Sequence, residues 1–242
     1  MSFHEAANLA QVRRPCFWVL TGGERMRAII IANGQIHEGD FYRSLVTPTD
    51  LIICADGGAS NAIALGLQPQ VVIGDLDSLD ESLRLRLEKM HCQFIVHPTR
   101  KDETDLELAL RYAVDIGVGE ILILGALGGR IDQTLANVLL LALPELRSVK
   151  AKILDGRQEV FLIKDETLIE GQVGDILSLL PLTEKVTGIY TEGLEYPLGN
   201  GALYLGPTMG VSNTLTARQA RVWIGRGLLL AVIIHHSERR FT

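Results

Sequence analysis

Between residues 26 and 143, short apolar runs alternate with segments of helical period. Strands are predicted at 28–32, 51–55, 71–73, 93–97 and 121–124. Continuous apolar, β-branched runs such as 28–32 are how strands buried on both faces read. Between them the spacing predicts a short helix stopped by Gly66 and a helix over 80–90. A helix over 103–116 carries Leu106, Leu110, Ala113 and Val114 on one side and ends at Gly117. An apolar helix over 131–143 ends at Pro144. This alternation predicts an α/β fold with a mostly parallel sheet covered by helices.

After about residue 150 the pattern changes. Short β-rich runs at 152–154, 158–163, 167–170, 175–180, 185–191, 218–224 and 228–234 are punctuated by Asp155-Gly156, Glu170-Gly171 and Gly199-Asn200-Gly201. They predict a small all-β sandwich. The expected division is an N-terminal extension (1–25), an α/β catalytic domain (26–150) and a β domain (151–242). There is no internal repeat. The only apolar run of the extension, Cys16-Phe17-Trp18-Val19-Leu20, is too short for the core of a signal peptide. His235-His236 falls near the C-terminus, where a frayed end without a role is expected.

Composition narrows the function classes. Apolar residues make up 47% and charged residues 21% of the 242, an ordinary globular balance. A net charge of −6 argues against a nucleic-acid partner, and no apolar run is long enough for a membrane span. Cys16, Cys54 and Cys92 are scattered without metal-ligand spacing, and Cys54 reads as a small core residue. A reducing, cytoplasmic setting fits them.

The candidate chemistry follows the strands. Asn33-Gly34, Asp56-Gly57-Gly58, Asp75-Leu76-Asp77, Asp102 to Asp105, and Gly128-Gly129-Arg130-Ile131-Asp132 each come after a strand-like run. Ligands of such sheets sit at the carboxyl ends of the strands, so the five stretches converge on one edge. Alternate residues of an extended chain point the same way, so Asp75 and Asp77 can face one point. Hard carboxylate oxygens suit Mg²⁺ on a nucleotide's phosphates. Glycine loops before helices bring N–H groups to phosphate, and Lys101 and Arg130 offset its charge. Taken alone, the acidic pair and the glycine loops read first as turns, Asp102 to Asp105 can be a helix start, and Lys101 and Arg130 can be surface cations. Their convergence is what points to an active site.

With these residues laid out, the chain resembles the thiamin pyrophosphokinase family. The matching stretches are Ala55-Asp56-Gly57-Gly58-Ala59, Gly74-Asp75-Leu76-Asp77-Ser78, Lys101-Asp102-Glu103-Thr104-Asp105, and Gly128-Gly129-Arg130-Ile131-Asp132 with Asn137. Glu192-Gly193-Leu194-Glu195-Tyr196-Pro197-Leu198 and Gly210-Val211-Ser212-Asn213 continue the match in the β-rich half. The resemblance implies transfer of pyrophosphate from ATP to the hydroxyethyl group of thiamin, giving thiamin diphosphate and AMP. It implies that Asp75, Asp77 and Asp102 hold Mg²⁺, with Asp105 close by and all four counted as catalytic. Asn33, Asp56, Gly57, Gly58, Lys101, Gly128, Gly129, Arg130, Asp132 and Asn137 would serve ATP. Tyr196, Ser212 and Asn213, with Asp56, would lie near thiamin. A homodimer with sites between chains is implied too. Gln133 stands where the family commonly has histidine, and residues 1–25 have no counterpart.

The implied chemistry is attack of a hydroxyl on the β-phosphorus, with AMP leaving from the other side. Asp77 and Asp102 are the leading candidates to orient or deprotonate the hydroxyl. The alternatives are a Mg²⁺-dependent nucleotide pyrophosphohydrolase and a non-catalytic thiamin or nucleotide sensor.

Overall fold

The computed structural model describes residues 26–37 and 39–236, so the extension 1–25 lies outside the described residues. In chain order the first half consists of β1 (Arg27–Ile31), α1 (Gly39–Leu45), β2 (Leu51–Ala55), α2 (Gly58–Ala64), β3 (Val71–Gly74), α3 (Glu81–Lys89), β4 (Gln93–Val96), α4 (Asp105–Asp115), β5 (Glu120–Leu124) and α5 (Ile131–Leu140). A 3-10 turn, Pro144–Ser148, leads into β6 (Lys150–Asp155), β7 (Gln158–Ile163), β8 (Glu166–Glu170), β9 (Ile176–Pro181) and β10 (Lys185–Glu192). The chain closes with β11 (Gly201–Tyr204), β12 (Asn213–Thr214), β13 (Gln219–Trp223) and β14 (Leu229–Ile234).

One sheet runs through both halves, in the order β12-β9-β14-β7-β6-β5-β1-β2-β3-β4. From β6 to β4 every pairing is parallel, and from β6 to β12 every pairing is antiparallel. The expected boundary at residue 150 therefore falls where a strand joins the two halves. A second sheet, β11-β10-β13-β8, lies across the antiparallel part. The core between the two sheets includes Ile163, Ile189, Leu203, Leu215, Val222 and Ile233.

Burial on both faces explains why the first strands lack alternation. Ala28 and Ile30 pack with α4 residues Leu106, Ala109 and Leu110. Ile29 and Ile31 pack with Tyr42, Ala59 and Ala62 from α1 and α2. Two helices start at side-chain caps. Asp80 accepts the Leu83 N–H at 2.8 Å, and Thr104 accepts the Glu107 N–H at 3.2 Å. The Thr104 cap starts α4 at Asp105, two residues later than the apolar spacing suggested.

Two expectations need correction, and one helix was not foreseen. The helix expected to reach residue 143 ends at Leu140, and Pro144 opens the 3-10 turn instead of terminating a helix. α1 is missed because its seven residues span barely two turns, too few to show a period. His235 is not part of a frayed end. It is 4% exposed and bonded through both ring nitrogens to Asp175 and Glu159. It directly follows the buried strand β14, which carries it inward.

Candidate active site

The chain leaves β1 toward β2, β3 and β4, then returns to place β5 on the other side of β1. This reversal opens a crevice at the carboxyl ends of β1 and β5, where doubly wound sheets bind ligands. The Ala32 N–H donates to the Leu124 carbonyl and the Gly34 N–H to the Gly125 carbonyl, each at 2.8 Å. A Cβ on Gly34 would sit 2.3 Å from that Gly125 oxygen, so only glycine allows the approach. A cleft of about 620 Å³ opens here. Its lining takes in Asn33, Asp56, Asp75, Lys101, Asp105, Gly128, Gly129, Arg130, Gln133 and Asn137. A cavity of about 610 Å³ elsewhere, lined in part by Arg147, Lys164 and Glu166, contains none of the expected site residues.

At one end of the cleft stands a group of three carboxylates. Asp56, Asp75 and Asp77 each offer an oxygen, and these atoms lie within 4.8 Å of one another. Asp75 and Asp77 do not converge by strand alternation. β3 ends at Gly74, and Leu76 takes a left-handed conformation (φ 64°), turning onto the core beside α2 and α3 while both aspartates stay in solvent reach. The Asp77 N–H donates to Asp75 Oδ1 at 3.2 Å. That bond holds the Asp75 carboxyl below its ordinary value. The hydrogen bond and charge shared with Asp75 push Asp77 up.

Asp56 is the buried member, 7% exposed, with φ 42°. Its N–H is satisfied by the Ile73 carbonyl at 2.8 Å, but its Oδ1 is buried without a hydrogen-bond partner. A buried acceptor is normally satisfied. A buried carboxylate with an orphan oxygen, standing beside two more carboxylates on strained backbone, has the donor chemistry of a hard-cation site.

Lys101 and Asp105 stand next to this group. Lys101 Nζ lies 2.8 Å from Asp105 Oδ1, and the lysine side chain is 13% exposed. Burial opposes its charge, but the Asp105 hydrogen bond and the fields of Asp105, Asp75 and Asp56 outweigh that and hold its pKa up. A Cβ on Gly74 would meet Asp56 Cβ at 2.8 Å and Asp105 Cγ at 3.2 Å, so both acids close over the end of β3. Asp102 is exposed and lies outside both the carboxylate group and the cleft lining. Of the two, it is Asp56 and not Asp102 that the fold brings beside Asp75 and Asp77.

Across the cleft, Gly128 and Gly129 hold φ of 86° and 69° with open space around their Cα atoms, so conformation and not crowding demands glycine. Asn137 Nδ2 ties this loop to α5 by donating to the Ala126 carbonyl at 2.7 Å. Arg130 Nη2 pairs with Asp132 Oδ2 at 2.5 Å, both largely exposed. Asp132 Oδ1 accepts the Gln133 N–H at 2.9 Å, so it serves the start of α5 as well as the arginine.

Tyr196, Ser212 and Asn213 lie apart from this cleft, whose lining stops at Asn137. Asn213 Oδ1 accepts the Tyr196 N–H at 3.1 Å, and its Nδ2 donates to the Tyr196 carbonyl at 2.8 Å. Ser212 (φ 62°) donates its N–H to Ser178 Oγ at 3.0 Å. Tyr196 is 68% exposed. Nearby in sequence, Leu205, Met209 and Val211 are exposed as well.

Residues 42–153 match the family model described as the catalytic domain of thiamin pyrophosphokinase. Residues 165–229 match the model of its vitamin B1 binding domain. A thiamine pyrophosphokinase of Bacillus subtilis is 29% identical over 184 residues, covering 75% of this chain and 86% of the relative. A crystal structure of the enzyme from that organism superposes with a TM-score of 0.79 at 28% identity, covering 87% of this chain and 100% of the other. The thiamin pyrophosphokinase structure from Geobacillus thermodenitrificans shares the fold, with a TM-score of 0.76 at 24% identity over 88% and 99% of the two chains. With both domain models matched in order along one chain and the fold shared over its described length, this protein belongs to the thiamin pyrophosphokinase family.

Proposed function

We propose that this chain transfers the pyrophosphoryl group of ATP to the hydroxyethyl group of thiamin, giving thiamin diphosphate and AMP. The observation that carries the reading is the group of Asp56, Asp75 and Asp77, with its orphan buried oxygen, at the mouth of a glycine-walled cleft. Mg²⁺ fits there, held by these three residues, and when bound it supplies positive charge against the polyphosphate.

The chain's own groups account for the rest. The backbone around Gly128 and Gly129 leaves room for phosphate at the start of α5. Lys101 and Arg130 face the cleft from two sides and offset charge on the β- and γ-phosphates. The thiamin oxygen forms a bond to the β-phosphorus as the bond from that phosphorus to the α-phosphate bridging oxygen breaks. AMP departs with that oxygen, and the hydroxyl proton passes to a carboxylate. Asp77, the most exposed of the three, is the carboxylate this reading assigns to the proton.

Thiamin's cationic ring suits the face of Tyr196. That side chain does not line its own chain's cleft, so the reading places the site between two copies. α5 supports this. Its Ile131, Leu135 and Leu139 form a stripe at four-residue spacing, 77%, 58% and 55% exposed, beside the cleft residues Gln133 and Asn137. An apolar stripe this open marks a surface that is covered. Among the described residues no helix is long and apolar enough to cross a membrane. The reading keeps the enzyme in a reducing cytoplasm, consistent with the free, buried Cys54 and Cys92.

Purified protein with ATP and Mg²⁺, with and without thiamin, tests the proposal. AMP release that requires thiamin supports it. Release without thiamin favours a pyrophosphohydrolase, and binding without release favours a sensor.

A further inference from the structure

A buried charge cluster lies at the end of β14, outside the cleft. His235 Nδ1 is 2.7 Å from Asp175 Oδ2, and its Nε2 is 2.9 Å from Glu159 Oε1. Glu159 Oε2 accepts from Lys152 Nζ at 3.0 Å. Asp175 also accepts the His236 N–H at 3.0 Å and the Gln172 N–H at 2.9 Å. Both ring nitrogens are thus paired with a carboxylate oxygen, so the ring is fixed from two sides. Among the described residues, the charged groups at the ring are Asp175 before β9 and Glu159 on β7, with Lys152 on β6 paired to Glu159 and His236 adjacent in the chain. Arg157, in the β6–β7 turn, completes the corner. Its carbonyl accepts the His235 N–H at 3.0 Å, and its Nη1 donates to the His236 carbonyl at 3.0 Å.

The cluster fixes the main chain at Asp175, and that main chain holds the neighbouring segment. The Leu215 N–H donates to the Asp175 carbonyl, and the Gly174 N–H to the Leu215 carbonyl, both at 2.9 Å. These bonds seat β12 against β9, with Asn213 opposite Leu177 and Thr214 opposite Ile176. A two-residue strand has too few ladder bonds to fix itself, so its place depends on such anchors. Asn213 then grips both backbone groups of Tyr196. Hydrogen bonds, with the main chain at 174–175 and at 213–215, thus link the imidazole to the exposed tyrosine. A buried ionic cluster is weak evidence for stability, since apolar packing often does as well. Fixing a position is a better account of this one.

We propose that His235 is a positioning residue for thiamin: clamped between Asp175 and Glu159, it holds β12 and so sets the place of Asn213 and Tyr196. This rests on the reading that Tyr196 and Asn213 meet thiamin.

The test compares His235→Gln, Asn213→Ala and the double variant, with KM measured for each substrate well below every melting temperature. Glutamine at 235 donates to one carboxylate only. Each single variant is expected to raise the thiamin KM roughly 3- to 10-fold, the scale of one lost hydrogen bond. The ATP KM and kcat stay within about twofold, and the double variant is no worse than Asn213→Ala, because both act on one arm. If Asn213→Ala raises the thiamin KM and His235→Gln does not, the positioning role is overturned and the reading of the arm stands. If neither does, the arm does not bind thiamin and both fall. Should His235→Gln fail to fold, Asp175→Asn, which weakens the same clamp from its other side, takes its place in the series and is expected to raise the thiamin KM in the same way. A thiamin KM unchanged in Asp175→Asn, with Asn213→Ala raising it, overturns the proposal.

Discussion

Asp56→Asn is expected to stabilise the metal-free protein and to abolish its response to Mg²⁺. Asp56 is 7% exposed and carries one buried oxygen without a partner. Leaving such a group unsatisfied costs about 1–3 kcal/mol, and more when it is charged. Asparagine removes the charge, tolerates the left-handed φ of 42°, and brings an NH₂ that donates toward Asp75 or Asp77. A gain of about 1–2 kcal/mol raises Tm by roughly 2–8 °C in a chain of this size. Mg²⁺ acts in the opposite sense. At a hundred times its Kd, a ligand specific for the folded state adds about 2.7 kcal/mol. The unaltered protein therefore gains several degrees on adding Mg²⁺, and the variant gains almost none. Thermal melts of both proteins, with EDTA and along a Mg²⁺ series, measure all four quantities. A variant that melts lower than the parent in EDTA, yet keeps the full Mg²⁺ shift, would refute the role of Asp56.

Three further outcomes follow. Burial opposes ionisation of Glu159, but the His235 hydrogen bond and the charge and hydrogen bond of Lys152 hold its carboxyl at about 2, against an ordinary 4.5. A depressed carboxylate stabilises the fold above its unfolded value and loses that contribution as pH falls. Denaturant unfolding should thus show Glu159→Gln weaker by about 3 kcal/mol at pH 7, with the gap closing between pH 4.5 and pH 2; a gap independent of pH contradicts this. Tyr196→Ala should raise the thiamin KM several-fold, the worth of a cation on an aromatic face at about 0.5–2 kcal/mol, with the ATP KM unchanged; equal changes in both would remove the tyrosine from the thiamin site. Leu135→Glu, in the exposed stripe of α5, should yield monomers by sedimentation that fold but do not turn over; an active monomer would end the two-copy reading.

The parallel half was legible because its strands are buried on both faces, which writes continuous runs such as 28–32 into the chain. The convergence of the five strand-end motifs was legible for a topological reason, since parallel strands deliver their carboxyl ends to one edge. What sequence spacing could not supply was three-dimensional neighbourhood. Asp56 and Asp102 both follow strands and both carry a carboxylate. Only the fold shows that Asp56 turns under Asp75 and Asp77 while Asp102 precedes the Thr104 cap in solvent. His235 was misread because its partners Glu159 and Asp175 lie 76 and 60 residues away. A cue was present in Glu159, a charged residue at a buried position of β7, which implies a buried cation nearby. The strands β11 and β12, of four and two residues, are set by their neighbours and leave almost no pattern of their own.

The most direct test of the central claim follows the terminal phosphate of ATP. Protein incubated with Mg²⁺, thiamin and ATP labelled with ³²P at the γ-position should yield label in thiamin diphosphate and unlabelled AMP in equal amounts, because the β- and γ-phosphates move as one unit. Label recovered as inorganic pyrophosphate, with AMP formed at the same rate when thiamin is omitted, would contradict the account.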